Sequence, residues 1–163
     1  VSDSGTGAFS VAVNLPNILV SKAVETSWDP HNGFIDPFAI PGGIVKYTLT
    51  ITNVGPGSPD DNTILITDPI PANTEMIVTD PVITVNNVPA DTGLTVSYIS
   101  PTDASDDLVF STDGTDFSYQ PTVDANGSDA NVTHLRINPK GIFSVSDGIT
   151  PPSFTVEFKV MIK

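Results

Sequence analysis

The residues in this chain best suited to chemistry are aspartates in loops. Asp60 and Asp61 form one cluster, Asp103, Asp106 and Asp107 a second, and Asp113 and Asp116 a third, all among Gly, Ser, Thr and Pro. Carboxylate oxygens in loops are calcium ligands, but calcium needs six or more oxygens that converge. No cluster has the EF-hand spacing. Calcium is therefore carried forward only as a candidate cofactor on these aspartates, and the simpler reading is a solvated acidic surface. His31 and His134 lie far apart and form no metal-binding pair, and there is no Gly-x-Ser-x-Gly elbow. The chain has no cysteine, which removes thiol nucleophiles, zinc-thiolate sites and disulfide staples. No catalytic residue is assigned, and the chain is expected not to be an enzyme.

Two further groups could be modified. Asn126-Gly-Ser and Asn131-Val-Thr are glycosylation sequons. Lys46 with Asn53, and Lys22 as a second lysine, raise the question of an intramolecular isopeptide bond. Lys46 alternates to the face opposite Tyr47 and Leu49, whereas such a bond needs a buried lysine, so the turn-forming role of Asn53 is the expectation.

Charge excludes whole classes of partner. Six basic residues stand against 19 acidic ones, for a net charge of −13 and a pI near 4.1. A surface so acidic repels phosphate backbones and anionic lipid, so neither nucleic acid nor a membrane surface is an expected partner. No apolar run reaches transmembrane length, and the long N-terminal helix of a type IV pilin is missing. The first residue is Val, which suggests a processed N-terminus after signal-peptide removal. The expected location is extracellular, at the cell surface.

The elements that must carry these residues are strands. Charged residues are 15% of the chain, and Thr, Ser, Asp, Asn, Pro and Gly stand where exposed helices would carry Lys and Glu. In 44–54, Val45, Tyr47, Leu49 and Ile51 alternate against Lys46, Thr48, Thr50 and Thr52. In 153–163, Phe154, Val156, Phe158, Val160 and Ile162 do the same. A period of two marks a half-buried strand. Further strands are expected at 9–15, 17–27, 63–71, 76–79, 82–88, 94–100, 108–112 and 131–138. Asp113-Gly114 and Asn126-Gly127 are turn dipeptides, while 28–43 and 139–152 read as loops. Many short strands between turn signals predict an all-β sandwich.

The run "PGGIVKYTLTITNVGPG…ILITDPIPANTEMI" resembles the DUF11 conserved-repeat domain of bacterial and archaeal cell-surface proteins. The positions that carry the resemblance are Pro41-Gly42, Tyr47, Thr52-Asn53, Gly55, Thr67-Asp68 and Pro71. "LVFSTDGTDF" and "VTHLRINPKG…FTVEFKVMIK" resemble the later half of the same family, so the likeness spans roughly 17–163. It implies an immunoglobulin-like antiparallel β-sandwich on an extracellular protein and transfers no catalytic residue. The family commonly occurs as beads in large multidomain proteins. This chain reads instead as one module with a strand-forming extension before it.

That extension divides the chain into a leader and candidate donor strand, 1–16, and the sandwich, 17–163. Phe9, Val11, Val13 and Leu15 form an apolar face behind a small polar leader. Such a strand can pair with its own sandwich, or it can complete the sheet of a neighbouring copy. The second arrangement makes the chain the subunit of an extracellular homopolymer, a pilus-like filament. The alternative is a monomeric surface module for adhesion or ligand binding, calcium-dependent in one version, with Trp28 and Tyr98 as contact residues.

Overall fold

Alternation places two long strands at the centre of the molecule. β2 (Ile44–Asn53) buries Val45, Leu49, Ile51 and Asn53, and the last strand in the sequence, Ser153–Ile162, buries Phe154, Val156, Phe158 and Val160. They pair antiparallel from Ser153↔Thr52 to Met161↔Ile44, so their apolar residues share one face. The structure is a computed structural model and describes residues 13–86 and 92–163. The described residues form eleven strands and no helix. In chain order the others are β1 (Ile18–Trp28), β3 (Ile66–Pro69), β4 (Thr74–Ile77), β5 (Ile83–Asn86), β6 (Leu94–Thr95), β7 (Leu108–Ser111), β8 (Ser128–Asp129), β9 (His134–Ile137) and β10 (Lys140–Gly141), with Ser153–Ile162 as β11.

The fold is an all-β antiparallel sandwich. The larger sheet has the order β1-β2-β11-β4-β8, and β5 lies end to end with β4 along the far edge of β11. The second sheet has the order β3-β9-β7, and β6 and β10 form a small separate ladder. Between the sheets lie Phe110, Leu135 and Ile137 from one side and Ile51, Phe154, Phe158 and Met76 from the other, each at most 1% exposed. Tyr47 stacks on Phe158 with ring centroids 5.3 Å apart, and Phe143 meets Phe154 edge-on at 5.6 Å.

Two expectations are corrected. The stretch 94–100 is a strand only at Leu94–Thr95. The Asp107 carboxylate accepts from Ser97 N–H at 2.6 Å, and Asp106 accepts from Ile99 and Ser100 N–H at 2.8 and 3.0 Å. Side-chain oxygens thus take the donors that a neighbouring strand would have taken. The stretch 139–152, read as turns, supplies Phe143, a fully buried core residue.

Candidate functional site: the open flank between the sheets

β1 is an edge strand paired to β2 over ten residue pairs, from Ile18↔Asn53 to Trp28↔Ile44. Paired residues share a face, so Val20, Lys22, Val24 and Thr26 stand on the side of Ile51, Leu49, Tyr47 and Val45. Burial then breaks sharply between neighbours. Ile51 is 0% and Leu49 4% exposed, whereas Val20 is 59% and Val24 64% exposed. The second sheet covers β2 and β11 and stops short of β1. Among the described residues, no strand pairs the outer edge of β1 or of β3.

The result is an apolar cleft of about 440 Å³ between these two edges. Ile18, Val20 and Ile51 form one wall, and Ile64, Leu65 and Ile66 the other. Lys22 crosses it. Its ammonium lies 2.8 and 2.7 Å from the two Asp68 oxygens on β3, and 4.3 Å from the centre of the Tyr47 ring. Asp68 is nearly buried, at 6% exposure, while a third of the Lys22 side chain remains in water. This inward-pointing charge also blunts a long exposed edge. Sequence reasoning raised Lys22 only as an isopeptide lysine, and the cleft itself was missed. The signal was present as Ile18, Val20 and Val24 on one face of a strand, with Ile64 and Ile66 on another.

The N-terminal segment meets the sandwich at the mouth of this cleft. Phe9 and Val11 lie outside the described residues. Val13 and Leu15 are 70% and 64% exposed and belong to no strand. Asn53 anchors the segment: its Oδ1 accepts from Asn17 and Gly55 N–H, and its Nδ2 donates to the carbonyls of Gly57 and Ser144 at 2.9 Å each. Val54 N–H and Gly57 N–H donate to the carbonyls of Asn17 and Leu15. Gly57 is required for this approach, because a Cβ there would lie 2.2 Å from the Asn14 carbonyl oxygen.

The remaining candidates fall elsewhere. Among the described residues no three His, Cys, Asp or Glu side chains group to hold a metal ion. Asp60 and Asp61 are exposed. Asp103 accepts from Ser105 N–H and Oγ–H, and these bonds hold its carboxyl below the usual range. Asp113 is lowered by the backbone N–H groups of Thr115 and Asp116. Asp116 caps Ser118 N–H, and Asp107 also pairs with Lys140 at 3.5 Å. These carboxylates act as local backbone acceptors.

Lys46 bridges Glu25 and Glu157 on the outer face, with the ammonium 2.9 and 3.5 Å from their oxygens. It therefore stands away from the buried Asn53. Asn126 and Asn131 are exposed, and Asn131 Nδ2 donates to Asp129. His31 sits in the turn after β1, and His134 bonds Thr133 through Nδ1 at 2.9 Å. Trp28 is half-buried at the end of β1. Tyr98 packs against the core and donates its hydroxyl to Asp80; burial, then that bond, raises its pKa. No described helix is long and apolar enough to cross a membrane. No protein-family model, no curated protein and no solved structure matches this chain.

Proposed function

We propose that this chain is the structural subunit of an extracellular filament and that it polymerises by strand complementation. Phe9, Val11, Val13 and Leu15 of one copy enter the cleft of the next, and the backbone of that segment pairs with an open strand edge. The observation that carries this reading is the inner face of β1, where Val20 stays exposed beside the fully buried Ile51 and Val24 stays exposed beside the half-buried Tyr47. A sandwich that covers one strand and leaves the adjoining strand bare offers an apolar face that a donor strand can cover. Kinship with DUF11 and an immunoglobulin-like topology belong to the same proposal.

Magnitudes support a donor that brings its own side chains. Covering Val20, Val24 and Leu65, each more than half exposed, is worth about 1 kcal/mol apiece. That alone does not exceed the several kcal/mol that association costs. Four buried donor side chains add about 1.5–3 kcal/mol each, and a ladder of backbone hydrogen bonds fixes their register.

The competing reading is a monomeric adhesion module that uses calcium-loaded loops. Less supports it, because Asp103, Asp106, Asp107, Asp113 and Asp116 are engaged with backbone N–H groups and Tyr98 is held by Asp80. The deciding experiment compares the full chain with one lacking residues 1–16 by electron microscopy and sedimentation. The full chain is expected to form uniform thin filaments. The shortened chain is expected to stay monomeric with an unchanged circular-dichroism spectrum. Filaments from the shortened chain would overturn strand complementation.

A further inference from the structure

The two strand edges that border the cleft are not equivalent. In an antiparallel ladder, alternate residues turn their N–H and C=O groups to opposite sides. Val54 N–H donates to the Asn17 carbonyl, so in the register of β1 and β2 the odd-numbered residues turn toward β2. The N–H and C=O groups of Ile18, Val20, Lys22 and Val24 therefore line the open edge of β1. On β3, Ile70 N–H donates to the Thr133 carbonyl, so Thr67 and Pro69 are the residues turned away from β9. Proline has no N–H to give. β1 is the edge that can hold a ladder.

The place where the N-terminal segment joins its own sheet decides which way a donor can run along that edge. Asn17 and Leu15 are tied through their carbonyls to Val54 and Gly57, at the Ile18 end of β1. The step from Val13 to Asn17 spans at most about 14 Å. A donor thus leaves its neighbour's cleft close to the Ile18 end of its own sheet. Antiparallel to the neighbour's β1, it leaves at the neighbour's Ile18 end. Like ends then meet, each copy reaches the other's cleft, and the pair closes as a dimer. Parallel to β1, it leaves at the Trp28 end. Unlike ends then meet, one cleft stays open, and assembly continues.

Side chains fix the register. Opposite residues of paired strands share a face, so Phe9, Val11 and Val13 must lie opposite residues of the Val20, Lys22 and Val24 set. The apolar volume of the cleft is lined by Ile18, Val20 and Ile51, while Val24 stands bare beyond the Lys22–Asp68 bridge. Phe9 opposite Val20 puts the largest donor side chain in that volume and carries Val13 to Val24. Moving the donor one pair toward Ile18 sets Val13 over the bridge and asks Leu15, held at its own Gly57, to reach Val24. Moving it one pair the other way leaves Gly7 at Val20 and the volume unfilled.

We propose that the donor strand adds parallel to β1 of the neighbouring copy, with Phe9 opposite Val20, Val11 along the stem of Lys22, and Val13 opposite Val24. Leu15 then falls opposite Thr26, at the junction between the two copies. This pairing rests on the filament reading, and it makes strand direction the feature that separates a polymer from a closed dimer.

The test uses the absence of native cysteine. On the outer face the same register sets Ala8 opposite Leu19 and Ala12 opposite Ala23, about 5 Å apart across the ladder and within disulfide reach. Two full-length variants, Ala8→Cys with Leu19→Cys and Ala12→Cys with Ala23→Cys, are assembled, oxidised mildly and run on non-reducing gels, with the same samples imaged for filaments. Both are expected to give ladders extending well beyond the dimer, and an Ala12→Cys, Ala104→Cys control should give none. An antiparallel donor that joins Ala12 to Ala23 leaves Ala8 about 26 Å from Leu19, so a ladder from only one variant would overturn the parallel pairing. Filaments with neither ladder would overturn the pairing on β1 and leave strand complementation standing. Disulfide-linked dimers in place of filaments would mean a closed exchange and overturn both readings, as would a failure of the unsubstituted chain to polymerise.

Discussion

Removing the Lys22 ammonium leaves the Asp68 carboxylate, 6% exposed, without the cation that both its oxygens contact. A fully buried pair broken in this way costs about 3–5 kcal/mol. Lys22 keeps a third of its side chain in water, so Lys22→Ala is expected to cost about 1–2 kcal/mol, read as a lower urea midpoint at unchanged slope. Adding Asp68→Ala should restore part of that loss, because the stranded charge goes with it. A double variant no more stable than the single one would mean that Asp68 is solvated after all. Residue types disclosed some of this scale in advance. Thr52-Asn53-x-Gly55 reads as a turn, and Asn53 is indeed its hub. The partnership of Lys22 with Asp68, 46 positions away, depends on how two sheets overlie each other, and no local pattern encodes that.

Among the strands, β2 and β11 were legible because each buries most of one face, which imposes a period of two. β1 was legible as a strand but not as a bare one. Its pattern of apolar residues is the same whether or not a second sheet lies over it. The stretch 94–100 misled because its alternation is that of a strand while Asp106 and Asp107, further along the chain, claim its backbone donors. The entry into β1 depends on Gly57. A side chain at that position would collide with the Asn14 carbonyl, so Gly57→Val should displace the N-terminal segment. The expected cost to the sandwich is small, about 1 kcal/mol for the lost hydrogen bonds. Filament elongation, followed by light scattering, should slow several-fold. Elongation at the normal rate would mean that the exit path of the segment is immaterial.

At the level of the whole molecule, a net charge of −13 opposes any self-association. Screening shortens the range of that repulsion from about 30 Å at 0.01 M salt to about 8 Å at 0.15 M. Polymerisation is therefore expected to begin sooner as sodium chloride is raised through this range. Calcium at matched ionic strength should act in the same direction without raising the thermal midpoint of the monomer beyond the sodium control. A calcium-specific rise of many degrees would instead mean tight loop sites, and it would move the balance toward the adhesion module. Composition disclosed the repulsion at once.

The ladder between β1 and β2 also has a mechanical meaning. Its hydrogen bonds run perpendicular to the strands, and the N-terminal segment joins β1 at its Ile18 end. Tension applied through that segment along the strand axis would pull β1 lengthwise against β2, so that the bonds across ten residue pairs are strained together and not opened one after another. The Asn53 node, which ties the segment, the 53–57 turn and Ser144 into one knot, receives the load first and spreads it to both neighbouring loops. A tether built in this way holds against steady pulling along its axis and yields to peeling from the side.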